Sequence, residues 1–295
     1  MPEINNLKIL FIINPVSGNN TTDWPSLIAA YFKDLNHKIE LFELKEDCKP
    51  ETLKEKIDQF NPQQVIAVGG DGTVKLVAEC LIQKNIPLGI LPAGSANGLA
   101  KELGISSKPD EALNTLMKGV LKKIHVTRVN NHLCIHLSDI GFNALVIKKF
   151  EMQRGRGMWG YLKASVKVLF NKPRMEMEIQ INEKAVKINA AMVVIANGTK
   201  YGSGAVINPL GKLDDEVFEV IALKKISLPE IFKMKVSHAS FHPDKTSVYQ
   251  TNSLTMRSAR KMHFQVDGEY LGRVNEIKAL IIPGALEIIV PREEV

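Results

Sequence analysis

The stretch VIAVGGDGTVKLVAECL, Val65 to Leu81, changes character halfway along. Val65–Val68 is a short apolar run of the kind a buried strand shows, and a helical pattern follows over Val74–Gln83. Between them stand Gly69, Gly70, Asp71, Gly72 and Thr73. Glycines let backbone N–H groups approach an anion closely, and a helix start adds positive partial charge. The composition therefore suits a phosphate cradle, although a single Gly-rich turn suits a plain tight turn equally well.

The surrounding chain favours the cradle. Strands are predicted at Leu7–Ile13, Ile39–Leu44, Val65–Val68 and Leu88–Leu91. Helices are predicted over Trp24–Leu35, with Asp23 as cap and Pro25 in the first turn, and over Thr52–Phe60, Val74–Gln83, Asn97–Leu103 and Asp110–Lys118. Such alternation predicts a parallel sheet covered on both faces, with ligands at the carboxyl ends of its strands. Three of those ends carry unusual loops: NPVSGNN after the first strand, GGDGT after the third, and LPAGSANGLAKELG after the fourth. They are expected to converge on one crevice, with hydroxyls from Ser17, Thr73 and Ser95. A carboxylate among phosphates, Asp71, is repulsive unless a cation bridges them or it takes a proton from a hydroxyl nucleophile. Both roles belong to phosphoryl transfer. The Walker A and H-R-D patterns of the common nucleotide-binding families do not occur.

Beyond residue 124 the pattern turns to β. KIHVTRV, HLCIHLSD, MEMEIQIN, KINAAMVVIAN, DEVFEVIAL, KMHFQVDG and LEIIVP show strand-like alternation or apolar runs, and together they predict a sandwich. Its helices are expected in the basic segment and at Leu228–Ser240. The fold class is thus α/β plus all-β: an N-terminal α/β domain at 1–123, joined by the C-terminal 280–295, and a C-terminal β-sandwich at 124–279.

Composition agrees with two sizeable cores, since 45% of the 295 residues are hydrophobic. No apolar run approaches the ~20 residues that span a bilayer, and LKILFIIN reads as a strand rather than a signal peptide. Cys48, Cys80 and Cys134 have no framework or metal spacing, which fits a reducing cytoplasm. The sequons at Asn20 and Asn197 then carry no glycan. The basic excess is local: Lys148, Lys149, Arg154, Arg156, Lys163, Lys167, Lys172 and Arg174 are opposed only by Glu151. Such a block suits a solvated face. With Met158, Trp159, Tyr161 and Phe170 among its residues, it also suits an anionic membrane surface.

The succession NPVSG, GGDGT, LPAGSANGLAKELGI, SDIGFNA, NGTKYGSGAVINPLGKLDDEVFEV and VDGEYLG resembles the diacylglycerol kinase-like catalytic domain family over nearly the whole chain. That family includes bacterial lipid kinases and diacylglycerol, sphingosine and ceramide kinases. GGDGT alone is shared with NAD kinases and phosphofructokinases; PAGSANGLA followed by VDGE is more specific. The resemblance implies a NAD kinase/phosphofructokinase-like nucleotide domain, a lipid- or substrate-binding sandwich, and transfer of the ATP γ-phosphate to a lipid hydroxyl with Mg²⁺. It implies nucleotide contacts at Asn14, Pro15, Ser17, Gly18, Gly69, Gly70, Asp71, Gly72, Thr73, Ser95 and Asn97. Asp71 and Glu269 are the implied catalytic residues, Glu269 as the general base. Asp215 is the implied ligand of a structural Mg²⁺, with the backbone carbonyls of Lys212 and Val217. The implied partners are a lipid substrate and an anionic membrane met through Lys148–Arg174, at a peripheral, cytoplasmic location. No nucleic-acid module is recognisable, and the reading leaves room for a homodimer.

The chain departs from the family pattern at several positions. Lys75 and Leu76 stand where Asn and Glu are common, His125 and Thr127 where Asp and Gly are common, and Glu216 where Gly follows the metal-site Asp. PAGSANGLA lacks the Asp of many bacterial members. Two alternatives therefore stay open: a kinase of a soluble acceptor such as NAD, and an inert member that binds nucleotide or lipid. Other constellations fail on geometry. His132 and His136 lie in a strand-like segment, where four residues span ~13 Å, too far to share an ion. Ser203 has no nucleophile-elbow pattern.

Overall fold

The structure is a computed structural model and describes residues 6–18, 22–45, 48–152, 168, 174–181, 184–201, 205–226 and 243–292. Most of the basic segment, Ser203 and the helix expected at Leu228–Ser240 lie outside the described residues. The chain divides into two compact units, Met1–Ile124 with Gly284–Val295, and His125–Pro283. In chain order the elements are β1 (Lys8–Ile13), α1 (Trp24–Phe32), β2 (Lys38–Glu43), α2 (Pro50–Phe60), β3 (Gln64–Gly69), α3 (Asp71–Leu81), β4 (Leu88–Pro92), α4 (Gly98–Glu102), α5 (Pro109–Lys118) and β5 (Val120–Val129). There follow β6 (His132–Cys134), β7 (Leu137–Gly141), α6 (Phe142–Met152), β8 (Met175–Ile181), β9 (Lys184–Ala190), β10 (Met192–Ala196), β11 (Lys200–Tyr201), β12 (Ala205–Val206), β13 (Phe218–Leu223), β14 (Thr246–Thr251), β15 (Ser253–Val266) and β16 (Glu269–Val290).

The first unit is α/β. Its strands run parallel in the order β2-β1-β3-β4, and the end of β16 adds a further parallel neighbour where Ile288 pairs with Leu88. α1 begins where the sequence supplies a cap, and prolines mark other helix starts. Asp23 accepts from Ser26 N at 3.2 Å and from its hydroxyl at 2.7 Å, and prolines open α1, α2 and α5. Asn61 ends α2 in the left-handed region, φ 49°, returning its N–H to Ile57 O. The apolar stripes of α1 and α5 bury Trp24, Ile28, Phe32, Leu113 and Leu116 against Phe11, Val68 and Ile289. One boundary differs from the sequence reading in a way that matters: α3 starts at Asp71, not Val74. Asp71, Gly72 and Thr73 are its first turn, and only Gly70 is its cap.

The second unit is the antiparallel sandwich. β7 lies between β10 and β15, β13 between β10 and β14, and β8 joins β15 to β9. β10 is buried along its whole length because each of its faces has its own core. Val193 and Ile195 pack with Phe218, Val220 and Phe264, while Met192, Val194 and Ala196 pack with Phe142, Val146 and Ile221. Two expected strands are broken. HLCIHLSD divides into β6 and β7 because the backbone N–H groups of Ile135, His136 and Leu137 turn to one carboxylate, Asp267. KINAAMVVIAN divides at Ala191, whose N–H goes to Leu223 O and whose carbonyl accepts from Phe142 N. β9 then serves β8, and β10 serves β7 and β13. Among the described residues, no helix is long and apolar enough to cross a membrane.

Candidate active site

In the first unit the three Gly-rich loops do meet. Asn14 Nδ2 donates to Thr73 Oγ1 at 3.0 Å, tying the first loop to the start of α3. Leu99 N donates to Asp71 Oδ1 at 3.3 Å, tying the third loop to the same turn. The backbones approach so closely that side chains are excluded. A Cβ on Gly94 would lie 2.4 Å from Gly70 Cα, and one on Gly18, at φ +61°, would lie 2.4 Å from Ala93 O. Glycine at these two positions is a packing requirement.

The fate of the individual residues is mixed. Pro15, Gly18, Gly72 and Ser95 are exposed, Asn14, Gly70 and Asp71 half-buried, and Ser17 and Gly69 buried. Thr73 is buried, and its hydroxyl oxygen already accepts the Asn14 amide. Asn97 spends its side chain on its own loop, accepting from Gly94 N at 2.9 Å and donating to Gly94 O at 2.8 Å. What remains is the opening of α3, an eleven-residue helix with no side-chain cap bond. Above it, a Cβ on Gly72 would meet nothing within 4 Å. Backbone donors, a positive helix end and empty space above a glycine are what an anion needs.

In the second unit, Asp267 and Gly268, at φ 48° and 89°, form the two-residue turn between β15 and β16. Glu269, directly after it, is exposed. The Asp267 carboxylate is a clamp: Oδ2 accepts from Ile135 N at 3.0 Å, and Oδ1 from His136 N at 3.0 Å and Leu137 N at 3.1 Å. Behind the turn lies fully buried Asp139. It accepts from Asn143 Nδ2 (2.6 Å), Ala144 N (2.9 Å) and Gln265 Nε2 (2.5 Å), and Gln265 Oε1 accepts from Gly268 N at 2.7 Å. Sequence reasoning passed over Asp139, Gln265 and Asp267. The one local signal was the Asp-Gly pair of VDGE, which favours this hairpin turn.

Burial pushes the Asp139 carboxyl up to about 7 from 3.8, against its three N–H donors, which favour the ionised form. An acid raised on folding holds its proton more tightly in the native state. Its effect on stability is therefore most favourable at and below pH ~4, is lost as pH rises toward ~7, and is flat above. Asp139→Asn is expected to remove that part of the slope in unfolding midpoints measured across this window. An unchanged slope would place the titration in another group. His263 is pushed the other way, to about 4, by burial and by Arg273, Lys148 and Lys149, and its Nδ1 lies 2.7 Å from the Tyr270 hydroxyl.

The Asp215 loop fits one cation. Asp215 Oδ1 is buried and makes no hydrogen bond, so a positive charge there would satisfy it. Leu213 O accepts from His125 N at 2.7 Å, and the Lys212 and Val217 carbonyls stay ligands implied by the family resemblance alone. Among the described residues no group of three or more His, Cys, Asp or Glu side chains could hold a metal, so a carboxylate cage is not present there. His132 stacks edge-on against Phe264, and the His136 ring lies 2.4 Å from where a Gly198 Cβ would be. At the departures from the family pattern, Lys75 and Leu76 are half-buried on α3. His125 Nδ1 and Thr127 Oγ1 are buried without a hydrogen bond. None of the three cysteines is in a disulfide.

Residues 8–129 match the family described as diacylglycerol kinase catalytic domain, and residues 138–290 match the YegS C-terminal NAD kinase beta sandwich-like domain. The lipid kinase YegS of Escherichia coli is 28% identical over 246 residues, 80% of this chain and 81% of the relative. The diacylglycerol kinase of Bacillus subtilis is 27% identical over 218 residues, 70% and 71% of the two chains. A crystal structure of a diacylglycerol kinase from Bacillus anthracis superposes with a TM-score of 0.72 over 96% of this chain and 97% of its own. At 20% identity that likeness concerns the fold alone.

Proposed function

Since the chain belongs to the diacylglycerol kinase catalytic-domain family and carries the YegS-type sandwich, we propose that it transfers the γ-phosphate of ATP to a lipid hydroxyl, of diacylglycerol or of a sphingoid base. The observation that carries the reading is the meeting of three glycine loops at the uncapped start of α3, with the Asp71 carboxylate in that turn. ATP phosphates would lie over Gly70 and Gly72, with Asn14, Pro15, Ser17, Gly18, Gly69, Thr73, Ser95 and Asn97 shaping the loops around them. Asp71 would supply a carboxylate to hold a Mg²⁺, which when bound would offset the charge of the polyphosphate. Glu269 takes the proton of the lipid hydroxyl as its oxygen bonds to the γ-phosphorus, and ADP leaves. A second Mg²⁺ fits the orphaned Asp215 oxygen in a structural role. The lipid is met at an anionic membrane by the basic segment, of which Lys148 and Lys149 on α6 are described.

Two experiments test this reading. Gly72→Ala should leave the unliganded protein as stable or slightly more so, because Ala is favoured over Gly in helices by up to ~1 kcal/mol. The methyl would occupy the space proposed for a phosphate, so ATP affinity should fall; unchanged affinity in a calorimetric titration would move the phosphates elsewhere. For the chemistry, γ-labelled ATP is offered with phosphatidylglycerol vesicles carrying diacylglycerol or sphingosine. Glu269→Gln should turn over one of these lipids ~10²- to 10⁴-fold more slowly than the parent. The parent's turnover should fall in neutral phosphatidylcholine vesicles and in high salt. A parent that phosphorylates neither lipid sinks the lipid-kinase reading, and equal rates for the variant sink the role of Glu269.

A further inference from the structure

The second unit buries an ionisable acid and an amide where an apolar pair would hold two strands together at less cost. Asp139 and Gln265 are opposite one another on β7 and β15, both fully buried. Their polar atoms are fully committed in one direction. Asn143 Nδ2 and Ala144 N, from the start of α6, donate to Asp139; Gln265 Nε2 donates to Asp139; and Gly268 N donates to Gln265 Oε1. Gly268 is the second residue of the hairpin turn, and the next residue is Glu269. The other residue of the turn, Asp267, is fixed by its own clamp on residues 135–137. Ser138 Oγ adds a bond to Gln265 O at 2.7 Å. The chain of bonds ends on the turn, one residue before Glu269.

We infer that Asp139 and Gln265 are positioning residues for Glu269, joining the first turn of α6 to the hairpin that presents its carboxylate. This inference rests on the reading of Glu269 as the acceptor of the lipid proton. Neither residue is expected to touch ATP or lipid. Their loss should therefore act on kcat, while KM for ATP and for lipid stays put. A misplacement of about 1 Å of a reacting group costs ~10²-fold in rate.

The test is a double-mutant cycle on the full chain with γ-labelled ATP and the vesicles named above. Gln265→Met keeps length and volume but gives Gly268 no acceptor. It should lower kcat by ~10- to 100-fold in the parent and change it little when Glu269 is already Gln. Equal losses in both backgrounds would make Gln265 a merely structural residue and overturn the inference, as would a loss confined to KM. If Gln265→Met does not fold, isosteric Asp139→Asn takes its place in the cycle, and the same two outcomes decide. The reading of Glu269 fails separately, through wild-type rates in the single Glu269→Gln variant.

Discussion

Asp71→Asn is expected to lower turnover by ~10²- to 10³-fold, the scale for losing one preorganised electrostatic group, while ATP affinity moves little. The reasoning starts from what the substitution keeps. Asn has the same shape, and its side-chain oxygen can still accept from Leu99 N, the bond that ties the third loop to α3. The glycine approaches at Gly18, Gly70 and Gly94 involve backbone only and are untouched. On the proposed reading, the backbone donors at the helix start would still hold the phosphates. What disappears is the negative charge that Asp71 is proposed to offer a Mg²⁺, and phosphoryl transfer depends on such charge balance most at the transition state. Single-turnover rates beside calorimetric ATP affinities separate the two effects. Wild-type turnover would remove Asp71 from the chemistry, and loss of folding would make it a loop-tying residue alone.

The largest effect on stability is expected at Asp267. Its carboxylate satisfies three main-chain N–H groups, those of Ile135 and His136 in the β6–β7 connection and of Leu137 at the start of β7. Leaving such donors unsatisfied costs ~1–3 kcal/mol each, so Asp267→Ala should lose roughly 3 kcal/mol or more. Ala at φ 48° in the turn adds strain that the native residue tolerates better. Asp267→Asn retains one acceptor oxygen and should fall between Ala and the parent. Guanidinium unfolding of the three proteins checks the order. An Ala variant with an unmoved midpoint would mean that water replaces the carboxylate at little cost.

How much of this was visible in the residues follows from the range of each interaction. β1, β3 and β4 announced themselves as apolar runs, and α1 and α5 as helices, α1 with its Asp23 cap, because those signals are local. The Gly-rich loops were legible as a set, since a parallel sheet places its strand ends together. The start of α3 was misjudged by three residues: glycine and aspartate read as loop, yet the preceding strand delivers them directly into a helical turn. The breaks after Cys134 and at Ala191 were invisible because their causes lie far away in sequence, at Asp267 and Leu223. The bond between Asp139 and Gln265 spans 126 positions, and no pattern within either segment announces it. A buried acid inside SDIGFNA read as part of an apolar strand. Thr73 and Asn97 carried the right residue types for phosphate contacts, but the fold uses their side chains within the loops.

The central claim is that the acceptor of the phosphate is a lipid hydroxyl, and one measurement bears on it most directly. The full-length protein is given γ-labelled ATP and Mg²⁺ with equal amounts of diacylglycerol, sphingosine and NAD, the two lipids in phosphatidylglycerol vesicles, and the mixture is extracted with chloroform and methanol. The account predicts label bound to one of the two lipids, and little of it in a Glu269→Gln control. Label bound to NAD, or left wholly in ATP and free phosphate, would contradict it.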